Sequence, residues 1–157
     1  MKSKIMLFSS AVLILTAVLV SCASTGGGGG GGDADTDKQF SSIYETHKQT
    51  LDLTNATQYT VKKGDRLSKI AATSYGSVEN AYYFPLIMVA SSDVVLDPDR
   101  IEPGMKLTIP ELQRNIDDPA ERTNVKSLLK DVAALYKRDG NKYPETQAGL
   151  IKLSDSL

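Results

Sequence analysis

The chain has 157 residues, with 18 Lys plus Arg against 19 Asp plus Glu and a formal net charge of −1. That balance lacks the basic excess that nucleic acid favours, so it argues against nucleic acid as a partner. One cysteine excludes an intrachain disulfide framework, and one histidine with a single cysteine leaves no cofactor or metal-ligand set to propose.

Residues 1–21 begin with Lys2 and Lys4 and continue through Ile5–Val20, apolar apart from Ser9, Ser10 and Thr16. A basic head, an apolar stretch and small residues at the boundary make the anatomy of an export signal. The stretch from Ala11 to Val20 is short against the roughly 20 apolar residues that cross a bilayer. Seven glycines follow the cysteine, Gly26–Gly32, and Ala23–Asp37 holds no hydrophobic residue larger than alanine. Such a segment cannot bury enough surface to fold, and residues 22–37 read as a flexible linker with an r.m.s. reach of roughly 20 Å.

Leu19-Val20-Ser21-Cys22 resembles the lipobox of bacterial lipoproteins. The resemblance implies cleavage before Cys22, diacylglycerol on its thiol and an acyl chain on the new amino group. It places the protein in the bacterial cell envelope, lipid-anchored to the outer or inner membrane and facing the periplasm or wall. Two or three acyl chains hold a protein firmly where one does not.

Residues 38–57 are expected to form a helical extension. Phe40, Ile43 and Tyr44 stand on one helical face, with His47 at i+7 and Leu51 at i+11. Thr36 and Gln39 suit a capping box. His47 reads as a structural residue without a function, since no second Cys or His is present to complete a site.

Residues 58–110 have the order β-α-α-β. Tyr59-Thr60-Val61 is a β-rich run closed by a Lys63-Gly64-Asp65 turn. Asp65 is placed to cap a helix striped by Leu67, Ile70 and Ala71 and ended by Gly76. A second helix is expected from Tyr82–Phe84 to Ser91, with Pro85 in its first turn. Asp97-Pro98-Asp99 and Pro103-Gly104 carry turn chemistry, and Lys106–Ile109 is the last strand, stopped by Pro110.

The pieces "YTVKKGDRLSKIA", "YGS", "YYFPLI" and "DPDRIEPGMKLTIP" resemble the lysin-motif (LysM) family. The fold class this implies is α+β, a small βααβ domain with two antiparallel strands under two helices. The function it implies is binding of N-acetylglucosamine-containing polymers, hence peptidoglycan. Carried over position by position, the groove walls are Gly64, Asp65, Arg66, Leu67 and Ser68 on one side, and Asp97, Pro98, Asp99, Arg100 and Ile101 on the other. Three positions depart from the family pattern: Arg66 stands where Thr is usual, Ser68 where Trp is frequent, and Ser91 where Asn is usual. The last bears on how the second loop is held. Without a ligand, Gly64, Asp65, Pro103 and Gly104 would still serve turns and caps, and Leu67 and Ile101 would still serve a core.

Residues 111–157 form a helical carboxyl-terminal extension. Asp118-Pro119-Ala120-Glu121 is a helix start, and Val125, Leu128, Leu129, Val132, Leu135 and Tyr136 line one face before Gly140. A shorter helix is expected after Pro144, with Leu150, Ile151 and Leu153. The long stripe either packs on its own domain or docks another envelope protein. Residues 135–153 are similar to a short segment of the major pseudopilin of type II secretion, a shared helix-loop-helix solution that carries no function here.

The acidic residues sit in caps and turns, and no Ser-His or Cys-His set is present. A glycan hydrolase needs two carboxylates facing one another across a cleft. The expected function is therefore non-enzymatic: an envelope lipoprotein that grips peptidoglycan and ties membrane to wall. The alternative is an envelope adaptor that uses the motif and the tail to bind another protein.

Overall fold

A computed structural model describes residues 34–138 and 143–157. The leader, Cys22, the glycine tract and Gly140 lie outside the described residues.

Helix α1 spans Ala34–His47 and is followed by a 3-10 turn at Lys48–Thr50. It begins ahead of Thr36, so that residue lies inside the helix and not at its cap. Phe40, Ile43, Tyr44 and His47 are buried, as the spacing requires of one face. His47 is 3% exposed and its Nε2 lies 2.8 Å from Asp131 Oδ2, a partner 84 positions away. A buried imidazole needs such a partner, and this pair pins α1 to the tail.

Strands β1 (Thr57–Thr60) and β2 (Lys106–Ile109) pair antiparallel, Thr57 opposite Ile109 and Thr60 opposite Lys106. The pairing continues past β1, where Val61 N–H donates to Met105 O at 2.9 Å and Val61 O accepts from Gly104 N–H at 2.9 Å. Gly104, at φ +97°, supplies a left-handed turn that a side chain would strain.

Helix α2 spans Leu67–Ser74 and buries Leu67, Ile70 and Ala71. Its end is closed by Ser77 N–H donating to Ala72 O at 3.0 Å around Gly76. A 3-10 turn at Val78–Tyr83 then leads into α3, Phe84–Ala90, with Pro85 in its first turn. Phe84 to Val89 are all buried. A helix apolar on every side must be covered on every side, and α3 packs against β2, α2, α1 and the tail.

The tail opens with α4 (Leu112–Ile116), which sequence periodicity did not announce. Asn115 is fully buried: its Oδ1 accepts from Asp52 N–H at 3.0 Å, and its Nδ2 donates to Asp52 O at 3.0 Å and Glu111 O at 2.9 Å. That clamp joins the two extensions across the ends of the sheet. Helix α5 spans Pro119–Arg138, capped by Asp118 Oδ1, which accepts from Ala120 N–H at 2.8 Å and Glu121 N–H at 3.2 Å. Its stripe, with Ala133 added, is buried against the rest of the chain. The stripe packs on its own domain and offers no free docking face. Helix α6 (Pro144–Ser156) folds back along α5 and touches the 3-10 turn at Val78–Tyr83.

Candidate functional site

The first wall grows from the turn after β1. Asp65 N–H donates to Lys62 O at 3.1 Å, and Gly64 takes φ +86° to make the reversal. Asp65 does not cap α2 as expected. Arg66 is the N-cap residue and no side chain caps the helix. Asp65 Oδ2 instead accepts from Lys62 N–H and from the Tyr59 hydroxyl, both at 2.8 Å. The turn amide of Lys62 takes the carboxylate in place of the helix start. The Lys62 N–H and then the Tyr59 hydroxyl hold the Asp65 carboxyl below its ordinary value, and the same bond raises the Tyr59 phenol.

The second wall is the loop from Asp97 to Ile101. Asp97 Oδ1 accepts from Asp99 N–H at 2.8 Å, Asp97 O accepts from Arg100 N–H at 3.0 Å, and the Arg100 guanidinium reaches Asp97 at 3.9 Å. This is an Asx turn. Upstream, Ser91 is 1% exposed and acts as the loop's mooring. Its Oγ accepts from Thr108 N–H of β2 at 2.9 Å, and its carbonyl accepts from Val94 N–H at 2.9 Å and Val95 N–H at 2.8 Å. Serine thus holds the second loop to the sheet through a single hydroxyl.

Between the walls lies a cavity of about 390 Å³. Asp65, Arg66, Leu67 and Ser68 line one side, and Pro98, Asp99 and Ile101 line another, with Phe84 contributing from α3. Gly64, Asp97 and Arg100 are not among the lining residues; they shape the turns behind it. A Cβ on Gly64 would meet nothing within 4 Å, so even alanine there acts through backbone strain.

Sequence reasoning missed three lining residues from the tail: Tyr136 of α5, Tyr143 before α6 and Thr146 in its first turn. Tyr136 was legible as a member of the α5 stripe, but no local pattern marks Tyr143 or Thr146. The two rings meet edge to face, with centroids 5.6 Å apart and planes at 87°. Burial, followed by the Asp99 and Asp97 carboxylates, pushes the Tyr136 phenol above the usual range, so it stays protonated and able to donate.

The LysM domain family model matches residues 59–80, from β1 through α2 into the following 3-10 turn. The chain carries a LysM domain. Its strand order and its two helical segments over one antiparallel pair are the βααβ arrangement of that family. LysM domains are non-catalytic modules that support glycan binding and are typical of the cell envelope. The chain is 38% identical over 71 residues to the Potassium binding protein Kbp of Escherichia coli O6:H1, a match that covers 45% of this chain and 46% of that protein. The chain therefore spans about half the length of this relative. No solved structure matches the chain. Among the described residues no group of three or more His, Cys, Asp or Glu could hold a metal ion, and no helix is long and apolar enough to cross a membrane.

Proposed function

We propose that this protein binds the N-acetylglucosamine-containing glycan of peptidoglycan in the cavity between the Asp65–Ser68 and Pro98–Ile101 walls. The observation that carries the reading is that cavity, bordered by the two loops of a LysM domain. An N-acetyl sugar offers an amide donor and acceptor, an acetyl methyl and a largely apolar ring face. The backbone of two turns can answer the amide while Leu67 and Ile101 cover the methyl. Arg66 and Ser68 supply polar groups where the family pattern has Thr and Trp.

Cys22 completes the proposal as the lipidated amino terminus, with the glycine tract as slack between membrane and wall. Intact mass from the native membrane should then show loss of residues 1–21 and added acyl mass. An unmodified Cys22 would remove the anchor from the proposal. The rival adaptor loses its α5 docking face, since that stripe is covered by the chain's own core.

The test is sedimentation of the full chain with purified sacculi at low and high salt. Lys62, Lys63, Arg66, Lys69, Arg100 and Lys106 stand against Asp65, Glu79, Asp93, Asp97, Asp99 and Glu102 across residues 58–110, so the module is near neutral. Binding should survive salt that screens exposed charges beyond about 8–10 Å. One copy should bind with a Kd of roughly 10–1000 μM, raised in the envelope by avidity. Ile101→Asp, once shown to fold, should abolish it. Sedimentation that collapses with salt, or that the folded variant retains in full, favours the adaptor. Matched KCl and NaCl arms test whether the potassium named for the Escherichia coli relative has any effect here.

A further inference from the structure

We propose that Tyr136, Tyr143 and Thr146 form a third wall of the glycan groove, with the Tyr143 ring as the surface on which a neutral N-acetylated sugar stacks. This rests on the glycan reading above and adds to it a binding residue outside the LysM domain.

Tyr136, Tyr143 and Thr146 line the same cavity as the two LysM loops. Tyr136 is 5% exposed and serves as a fixed buttress for the half-buried Tyr143 ring, edge to face at 5.6 Å. The backbone at Tyr143 is constrained as well. Pro144 restricts the residue before it, and Tyr143 O accepts from Gln147 N–H at 3.0 Å as the first bond of α6. Helix α6 is in turn seated on the domain by Gly149, where an added Cβ would run into the ring of Tyr82. A close approach midway along α6 therefore helps set the position of the aromatic ring before its first turn.

The chemistry of the walls selects the ligand. An aromatic ring with a polar rim suits a pyranose, whose C–H bonds give one apolar face while its hydroxyls need donors and acceptors. Asp65 and Asp99 outnumber Arg66 among the lining charges, which disfavours an anionic sugar. The cavity's 390 Å³ is near the small end of ligand pockets, with room for about one or two pyranose rings. A walled pocket of that size should be saturated by a short oligosaccharide, whereas an open groove gains affinity with every added sugar.

The full chain in detergent micelles, titrated with N-acetylglucosamine oligomers from the dimer to the hexamer, tests this. The chain contains no tryptophan, so Tyr143→Trp places a single tryptophan on the proposed surface, one that can be excited apart from the tyrosines. Its emission should shift on sugar addition, and affinity should change little beyond about the dimer. By calorimetry, Tyr143→Leu should weaken binding about tenfold, while Tyr143→Phe stays near wild type. Should Tyr143→Leu fail to fold, Thr146→Lys carries the same expectation by filling the wall. If folded Tyr143→Leu binds as wild type while Ile101→Asp abolishes binding, the third wall is overturned and the two-loop groove stands. Tighter binding by Tyr143→Leu also overturns it, since the segment then covers the site and does not build it. Wild type that binds no oligomer overturns both readings.

Discussion

Ser91→Ala removes one atom from a position 1% exposed and tests how the second loop is moored. The lost Oγ accepts from Thr108 N–H at 2.9 Å, while its own contact with Thr108 O is a long 3.4 Å and contributes little. β2 has one paired neighbour among the described residues, and Thr108 N–H points away from it toward Ser91. Alanine keeps every backbone bond of Ser91, including the two that its carbonyl accepts, so the perturbation is confined to an orphaned amide at a buried position. An unsatisfied buried donor costs about 1–3 kcal/mol. For a unit of this size that corresponds to a fall in Tm of roughly 3–12 °C. Chemical denaturation should show a lower midpoint at unchanged slope, because the area exposed on unfolding hardly changes. Ser92→Ala, in the same turn and partly exposed, is the control and should stay within about 0.5 kcal/mol of wild type. If the two variants are equally stable, the Ser91 hydroxyl does not hold the strand and the account of the second wall fails.

Leu129→Ala should cost about 2–5 kcal/mol, because the side chain is fully buried in the α5 stripe; a loss below 1 kcal/mol in denaturant titration would mean that the face is open. Gly149→Ala should destabilise by roughly 1–2 kcal/mol, although alanine is the better helix former by about 1 kcal/mol, since its Cβ collides with the Tyr82 ring. A stabilised variant in thermal melts would show that α6 does not sit against that ring. Asp65→Asn should flatten the acid limb of the stability profile. The folded carboxyl titrates below its ordinary 3.8, so its contribution is complete above that value and is lost as pH falls through the lower folded one. Identical acid limbs for the variant and wild type would refute the Lys62 and Tyr59 hydrogen bonds as its cause.

Local chemistry was legible in the sequence. The strand Lys106–Ile109, the Asp118-Pro119 start of α5, the glycine turns and the composition of the α5 stripe all follow from preferences acting within a few residues. Where two local partners competed, that legibility failed: Asp65 had both a helix start and a turn amide within reach, and the amide won. The loop residues expected from the LysM resemblance lie in two turns, and Asp65, Arg66, Leu67, Ser68, Pro98, Asp99 and Ile101 of them line the cavity. What lies across long separations was not legible. Asp131 meets His47 84 positions away, and Asn115 clamps Asp52 across 63. Neither pairing leaves a local trace, because what brings the residues together is burial of the α1, α3 and α5 faces against one another. Tyr143 is the sharpest case. By sequence it is a residue before a proline, and only the packing of α6 on the Val78–Tyr83 turn turns it into a lining residue of the cavity. The sequence by itself determined the two strands, the principal helices and the turns between them. The tertiary structure decided what stands opposite those loops, since the number and placement of walls around a cavity are fixed by how helices pack.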